Sequence, residues 1–184
     1  MPHQRQVIRH AVRDLLDGKT AADDKVTAMR FNPYRLSDLP AISVYTIEET
    51  VDIENSTAPK ELARELQLEI QGWVKADEDV TADDAMDALA LEIETAMHAD
   101  PYLGGAASDS VLIGTTTGMH NEGDRLMGIL TLTYAVTYHT LAPETSEGLD
   151  DFLVAAVTTN LGGEVQEDEA AQDEVVVQEL PDES

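Results

Sequence analysis

Residues 62–74 read LARELQLEIQGWV, and the alternation of their side chains decides the fold. The positions on one side of this alternation are mostly apolar: Leu62, Arg64, Leu66, Leu68, Ile70, Gly72 and Val74. The positions between them are mostly polar: Ala63, Glu65, Gln67, Glu69, Gln71 and Trp73. Because successive side chains of a strand point to opposite faces of its sheet, this period of two predicts a long strand with one buried and one wet face.

A second long strand is predicted over residues 126–140. Its apolar side carries Leu126, Leu130, Leu132, Tyr134, Val136 and Tyr138, and its polar side carries Thr131, Thr133, Thr137 and His139. Residues 41–54 are also rich in strand-forming side chains and lead through a turn into the strand at 62–74. We expect residues 110–118 to pair with 126–140 and residues 25–31 to add a short strand.

Two segments repeat apolar residues with the spacing of an amphipathic helix. The first stripe consists of Val7, Ile8, Ala11, Val12, Leu15 and Leu16. The second, after a candidate N-cap at Thr81, consists of Met86, Leu89, Ala90, Ile93, Ala96 and Met97. This order of elements predicts an α+β fold, in which two helices pack on one face of a mostly antiparallel sheet. We expect the strands at 61–75 and 126–140 to offer edges on which a neighbour could dock.

The chain is strongly acidic, and its charge is unevenly divided. Its 184 residues include 37 acidic and 11 basic side chains, for a formal net charge of −26. Residues 141–184 hold 13 of the acidic side chains and none of the basic ones. This change predicts a folded domain over residues 1–142 and an acidic C-terminal extension. Within the extension, residues 143–161 have a spacing compatible with a short helical arm, and we expect 162–184 to form a flexible acidic tail.

Such a charge restricts the partners of the protein. A negative surface repels phosphates, which argues against binding to free nucleic acid or to an anionic membrane. The same property suits a surface past which DNA slides without adhering. The N-terminus has no signal-peptide pattern, and no apolar stretch approaches the roughly 20 residues that span a bilayer. We therefore expect a soluble protein that is made in the cytoplasm.

The sequence offers few residues for catalysis or metal binding. Cysteine is absent, which excludes disulfides, thiol catalysis and thiolate metal sites. The five histidines lie in no HExxH or HxH arrangement, and no GxSxG elbow is present. The glycines at 104–105 and at 114 and 118 do not form a phosphate-binding loop, because no GKS or GKT follows them. The acidic run over 77–87 lacks EF-hand spacing, so a solvated helix start is the preferred interpretation. We predict no metal and no cofactor, and we predict that the protein is not an enzyme.

One loop differs from the rest of this acidic chain. Residues 30–40 read RFNPYRLSDLP. Arg30, Phe31, Tyr34 and Arg35 are of the types enriched at protein interfaces, so we name them as candidate subunit contacts. A basic loop that faces an acidic neighbour would help to close a ring of identical subunits, which requires a head-to-tail interface. An ordinary loop that covers the edge of the sheet is an equally good interpretation.

The order of these features is similar to that of a known family. A basic amphipathic helix precedes a strand that opens with LPAISVYT at 39–46, and an acidic hairpin runs to ELARELQLEI at 61–70. A helix with DAMDALA at 84–90 and a final strand with LTLTYAVTY at 130–138 follow. Over residues 2–140, this order resembles the tail terminator (minor tail protein U-like) family of long-tailed bacteriophages.

The resemblance implies a small α/β fold that assembles as a hexameric ring and has no catalytic residues. Such a ring caps the tail tube at its head-proximal end, stops its growth and joins the tail to the head. The implied partners are the tail tube protein and the head–tail connector or head completion protein, with genomic DNA passing through the lumen without specific binding. The implied location is the virion. The extension 141–184 departs from a minimal terminator and is not covered by the resemblance.

Two other functions fit the same sequence. One is a head–tail connector or neck protein of the same particle. The other is an acidic protein-binding module, such as a nucleic-acid mimic, which the charge density favours. The long alternating strands and the interface-like loop have less of a role in such a module.

Overall fold

The computed structural model describes residues 2–57, 61–75, 79–122 and 125–141. All of these residues belong to the predicted folded domain. The predicted arm at 143–161 and the predicted acidic tail at 162–184 lie outside the described residues.

Two α-helices and one five-stranded sheet form the described part of the chain. The elements are α1 (Gln4–Leu16), β1 (Val26–Ala28), β2 (Ala41–Thr57), β3 (Glu61–Lys75), α2 (Asp79–Ala99), β4 (Asp109–Glu122) and β5 (Arg125–Leu141). The strand order is β1-β2-β3-β5-β4, in which β1 is parallel to β2 and the other neighbours are antiparallel. Helix α1 packs on β1 and β2, and α2 packs on β3 and β5 of the same face. The predicted α+β fold is confirmed.

Strand β3 lies at the centre of the sheet and forms the middle of the core. Leu66, Leu68 and Ile70 are buried on the face that carries the helices. Their cross-strand partners on β5 are Val136, Tyr134 and Leu132, which are also buried. The alternation predicted for both strands is therefore confirmed over these positions, and cross-strand pairs of this kind stabilise a sheet.

Each helix buries one apolar stripe against this core. The buried residues of α1 are Ile8, Val12 and Leu16, and those of α2 include Met86, Leu89, Ile93 and Met97. Their spacing of three or four residues is that of one helix face, as predicted. The side chain of His3 caps α1, because its Nδ1 accepts a hydrogen bond of 3.2 Å from the backbone N–H of Arg5.

Two glycines allow α2 to lie close to the sheet. A Cβ atom at Gly72 of β3 would lie 2.8 Å from Cδ2 of Leu89, and one at Gly128 of β5 would lie 2.9 Å from Sδ of Met86. Real Cβ atoms do not approach other atoms so closely, so any larger residue would displace these side chains or the helix. These gaps in the apolar alternation are thus the positions at which α2 contacts the sheet.

The structure corrects the expectation that β3 and β5 provide free edges. Strand β3 lies between β2 and β5, and β5 lies between β3 and β4. Among the described residues, one edge of the sheet is β4. The other is β1 together with the part of β2 beyond Val44, because β1 pairs with β2 only from Ile42 to Val44. A period of two predicts which way side chains face, but it does not predict the order of strands.

Some predicted boundaries also differ from those of the structure. Helix α2 begins at Asp79, two residues before Thr81, so Thr81 is not its N-cap. Strand β2 continues past the predicted end at residue 54 to Thr57, and β4 continues past residue 118 to Glu122. The hairpins are consequently longer than the sequence pattern indicates.

Candidate assembly surface

Strand β4 is an exposed strand at the edge of the sheet. Within the part of the chain that the structure describes, β5 is its one neighbour. Every residue from 111 to 120 is exposed. The large apolar side chains of this strand are between 36% and 60% exposed, namely Val111, Leu112, Ile113 and Met119. Among the described residues, β4 therefore leaves both of its faces and one of its edges uncovered.

The composition of β4 lacks the protection that edge strands usually carry. Natural edge strands are commonly guarded by charged side chains or proline, which discourage pairing with other molecules. Between Asp109 and Glu122, β4 has no Asp, Glu, Lys, Arg or Pro. The one protective feature among its described residues is a bulge at Ile113, where the register against β5 shifts between Leu112 and Gly114. Such an edge offers main-chain donors and acceptors to a strand of another molecule.

The position of α2 explains why β4 is uncovered. This helix packs on β3 and β5, the two central strands, and it ends at Ala99. A Cβ atom added at Gly114 or at Gly118 of β4 would find no atom within 4 Å. The space beside these glycines is thus open, and a second molecule could approach the strand closely there.

A cleft separates the C-terminal end of α2 from the start of β4, and we refer to it as the α2–β4 cleft. Its volume is about 480 Å³, within the ~300–1,000 Å³ range of ligand sites in proteins. Met97 and Leu112 line it with apolar surface, and Glu94 and Asp109 line it with carboxylates. No Lys or Arg is among the described residues of its wall. The cleft is therefore both apolar and acidic.

The wall of this cleft also contains two hydroxyl groups, those of Ser110 and Tyr134. Burial raises the pKa of Tyr134 to about 12, and the negative charge of Glu94 contributes to the rise. The Oγ atom of Ser110 is buried and has no hydrogen-bond partner among the described residues. Neutral hydroxyls next to carboxylates favour a cationic or hydrogen-bonding group over an anion.

The candidate contact loop at residues 30–40 lies over the face of the sheet that carries no helix. Tyr34 is buried there, and its hydroxyl donates to the carbonyl of Ile42 at 3.0 Å and lies 2.7 Å from Oγ of Ser43. Its ring centroid lies 5.9 Å from that of Trp73. Trp73 is half-buried as a result. The expectation of a wet face is therefore wrong at this end of β3, because the loop covers it.

The four candidate contact residues of this loop take different positions. The guanidinium of Arg30 lies over the ring of Tyr34, 4.1 Å from its centroid, and its Nε donates to the carbonyl of Asn32 at 2.8 Å. Tyr34 supports the loop from its buried side. Phe31 is 87% exposed, and Arg35 is also exposed. The structure thus brings Arg30 and Tyr34 together and leaves Phe31 and Arg35 on the surface, where a subunit contact stays a prediction.

The sequence pattern did not reveal a network of ion pairs around Glu49. This carboxylate, on β2, accepts hydrogen bonds from the hydroxyl of Tyr138 at 2.6 Å and from the guanidinium of Arg64, and it lies 3.3 Å from Nε of Arg5. Burial alone would raise the pKa of Glu49, but the hydrogen bonds and the two positive charges outweigh it and lower the pKa. The available signal was Arg64, which interrupts the apolar series of β3.

Metal-binding and membrane-spanning features are absent from the described residues. They contain no group of three or more His, Asp or Glu side chains that could hold a metal ion. None of their helices is long and apolar enough to cross a membrane.

No protein-family model matches the chain, and a search of the curated proteins finds none that matches. What the protein does must therefore be inferred from its fold, its surface and its charge.

Proposed function

We propose that the protein is a structural virion protein that forms a ring at the head-proximal end of a bacteriophage tail tube. The ring ends the growth of the tube and joins the tail to the head–tail connector. The protein is a homo-oligomer in this proposal, a hexamer if it follows the family that the sequence resembles, and it has no catalytic role. The α+β fold supports the proposal, since the same fold type is implied by that resemblance.

The observation that carries the proposal is the exposed strand β4. A strand with two uncovered faces, a free edge and no charge between its ends is an unusual surface on a protein of net charge −26. Assembly of identical copies would cover it. Strand β4 lies at one edge of the sheet, and the loop that carries Phe31 starts from the other. Two different contact surfaces on one chain are the condition for a ring or filament.

The charge of the chain is consistent with a ring through which DNA passes. An acidic lumen lets a polyanion pass with little adhesion, but the same charge makes the subunits repel one another. A standard interface buries about 800 Å² on each partner, and apolar burial stabilises by about 25 cal/mol per Å² before the costs of association are subtracted. An uncharged strand with exposed apolar side chains supplies this kind of surface.

Two alternatives make different predictions. A connector or neck protein of the same particle would also form a ring, but it would bind the head side and would not cap tubes. An acidic module that mimics nucleic acid is favoured by the net charge of −26. That function would give a stoichiometric complex with a basic DNA-binding protein, and it leaves β4 without a role.

Negative-stain electron microscopy of the purified protein, alone and mixed with tail tubes that lack a terminator, tests the proposal. We expect rings, or tubes that carry added density at one end. Dispersed monomers that leave every tube end unchanged would contradict the proposal, and the connector or the acidic module would then be preferred.

A further inference from the structure

We propose that Phe31 of one copy inserts into the α2–β4 cleft of the next copy, with Arg35 beside the carboxylates of Glu94 and Asp109. This contact rests on the proposed ring function and names the two surfaces that form its subunit interface. The occupant of the cleft is thus a second copy of this chain.

Phe31 has the properties of an interface anchor. It is 87% exposed, although the loop around it is held in place. The backbone N–H of Met29 donates to the carbonyl of Val44 at 3.0 Å, and Tyr34 is buried beneath Arg30 on the other side. A large aromatic side chain on a fixed loop loses little conformational freedom on binding, which is why such residues dominate interfaces.

The cleft fits an aromatic side chain in size and in chemistry. Its volume of about 480 Å³ leaves room for a phenyl ring. Met97 and Leu112 provide apolar contacts in its wall. Leu112 is 36% exposed, so part of this apolar wall faces solvent in the single chain. An inserted ring would cover that surface.

Charge complementarity sets the orientation of the inserted loop. Two acidic residues, Glu94 and Asp109, and one histidine, His98, line the cleft, and none of its described lining residues is a Lys or Arg. Arg35 follows Phe31 by four residues, is exposed, and forms no ion pair with any residue that the structure describes. In a chain with 37 acidic and 11 basic side chains, this exposed arginine supplies the charge that the acidic cleft lacks.

The loop and the cleft cannot meet within one molecule. The loop is attached to β1 and β2, whereas the cleft lies between β4 and α2 at the other edge of the sheet. The loop also lies on the face of the sheet that carries no helix, where Tyr34 contacts Trp73, whereas the cleft lies beside α2 on the other face. A contact between the two surfaces therefore joins two copies head to tail. Repetition of this contact gives a closed ring when the rotation from each subunit to the next adds up to a full turn.

Disulfide cross-linking tests this contact without background, because the chain has no cysteine. A chain with both Phe31→Cys and Leu112→Cys, oxidised under assembly conditions, should give a ladder of covalent multimers on a non-reducing gel. Either substitution alone places one thiol at each interface and should give monomers. A chain with Phe31→Cys and Leu91→Cys is the matched control, since Leu91 is exposed on α2 outside the cleft, and it should give no ladder.

Charge reversal provides a second, independent test. Arg35→Glu and Glu94→Arg should each weaken association by about fivefold, the upper range for one exposed ion pair, and the combined variant should recover most of the loss. Because any added arginine makes this acidic chain less negative and so reduces subunit repulsion, Asp87→Arg on the exposed side of α2 is the control. Asp87→Arg should change the association of the Arg35→Glu chain only as much as it changes the association of the wild type. Sedimentation velocity measures both changes.

The outcomes separate this contact from the ring function on which it rests. If wild-type rings or caps form but the double-cysteine chain gives no ladder, or if both single-cysteine chains cross-link as well as the double variant, the contact is wrong and the ring function stands. If the wild-type chain forms neither rings nor caps, both proposals fail. Circular dichroism and the Tm of each variant show whether the chains are folded. The Tm should match that of the wild type at the exposed positions, whereas Glu94 is half-buried.

Discussion

The carboxylate of Glu49 on β2 accepts a hydrogen bond of 2.6 Å from the hydroxyl of Tyr138 on β5, across the full width of β3. Arg64 of β3 bonds the same carboxylate from between them, and Arg5 reaches it from α1. One carboxylate thus joins the first helix to three adjacent strands. Because the side chain of Glu49 is only 9% exposed, its loss would leave these partners without a counter-charge.

Replacing Glu49 with glutamine should destabilise the fold. We expect Glu49→Gln to lower the free energy of unfolding at pH 7 by about 1–3 kcal/mol, because nearly buried polar partners lose a charged acceptor. Glu48→Gln is the matched control, since Glu48 is exposed on the same strand. Chemical denaturation of the three proteins measures the effect, and equal losses in both variants would show that the network contributes nothing.

The pH dependence of this difference follows from the pKa of Glu49, which is lower in the folded protein than its ordinary value of 4.5. A carboxyl group of this kind contributes stability that is present above its unfolded pKa and is lost as the pH falls through its folded pKa. The difference between the wild type and Glu49→Gln should therefore be constant near neutrality and shrink below about pH 4.5. A difference that grows on acidification would have the wrong sign.

Filling the gap beneath α2 should also destabilise the fold. We expect Gly72→Val to cost about 1–3 kcal/mol, because a Cβ atom there would already lie 2.8 Å from Leu89. Gly118→Val places the same side chain on β4, where no atom lies within 4 Å of the Cβ position, so its Tm should stay close to that of the wild type. Thermal unfolding compares the two, and similar losses would contradict the close approach of α2.

A charge on β4 should block assembly without affecting the fold. Ile113→Glu adds a negative charge at an exposed bulge, where it would meet an acidic neighbour and oppose strand pairing. We expect unchanged thermal unfolding and a shift of the assembled protein towards monomers in sedimentation velocity. Leu91→Glu, at a side chain of α2 that is 67% exposed, is the control and should assemble normally. Normal assembly of Ile113→Glu would remove β4 from the interface.

Raised salt should strengthen assembly. The subunits carry a net charge of −26 each, and salt at physiological concentration screens exposed charges beyond about 8 Å. We therefore expect the fraction of assembled protein to rise between about 0.05 M and 0.5 M sodium chloride, as light scattering or sedimentation would record. Rings that dissociate into monomers as salt is added would show that subunit repulsion does not limit assembly.

The core could be predicted from the sequence because buried side chains recur at regular spacings along a strand or a helix. The alternation around Leu68 and the helical spacing around Val12 both report a face that is turned away from water, and both were confirmed. The order of the strands has no such periodic signal in the sequence, because β3 and β5 would show the same alternation if they lay at an edge of the sheet. The central position of these strands therefore had to come from the structure.

The candidate site was less predictable than the core. Tyr34 belongs to a residue type that is enriched at interfaces, yet it is buried beneath its own loop, because the same aromatic surface serves a core and an interface equally well. Strand β4 posed the opposite problem. Its apolar start, from Val111 to Ile113, is typical of a buried strand, and only the positions of α2 and β5 show that it is exposed. Residue type alone therefore shows neither that Tyr34 is buried nor that the start of β4 is exposed.

The fraction of terminator-free tail tubes that acquire a cap, counted in electron micrographs, tests the central claim most directly. The wild-type protein and Leu91→Glu should cap one end of most tubes, whereas folded Ile113→Glu should leave the tubes open. Tubes that stay open with the wild-type protein, or that are capped equally well by Ile113→Glu, would contradict the claim that this protein closes tail tubes through an assembly surface on β4.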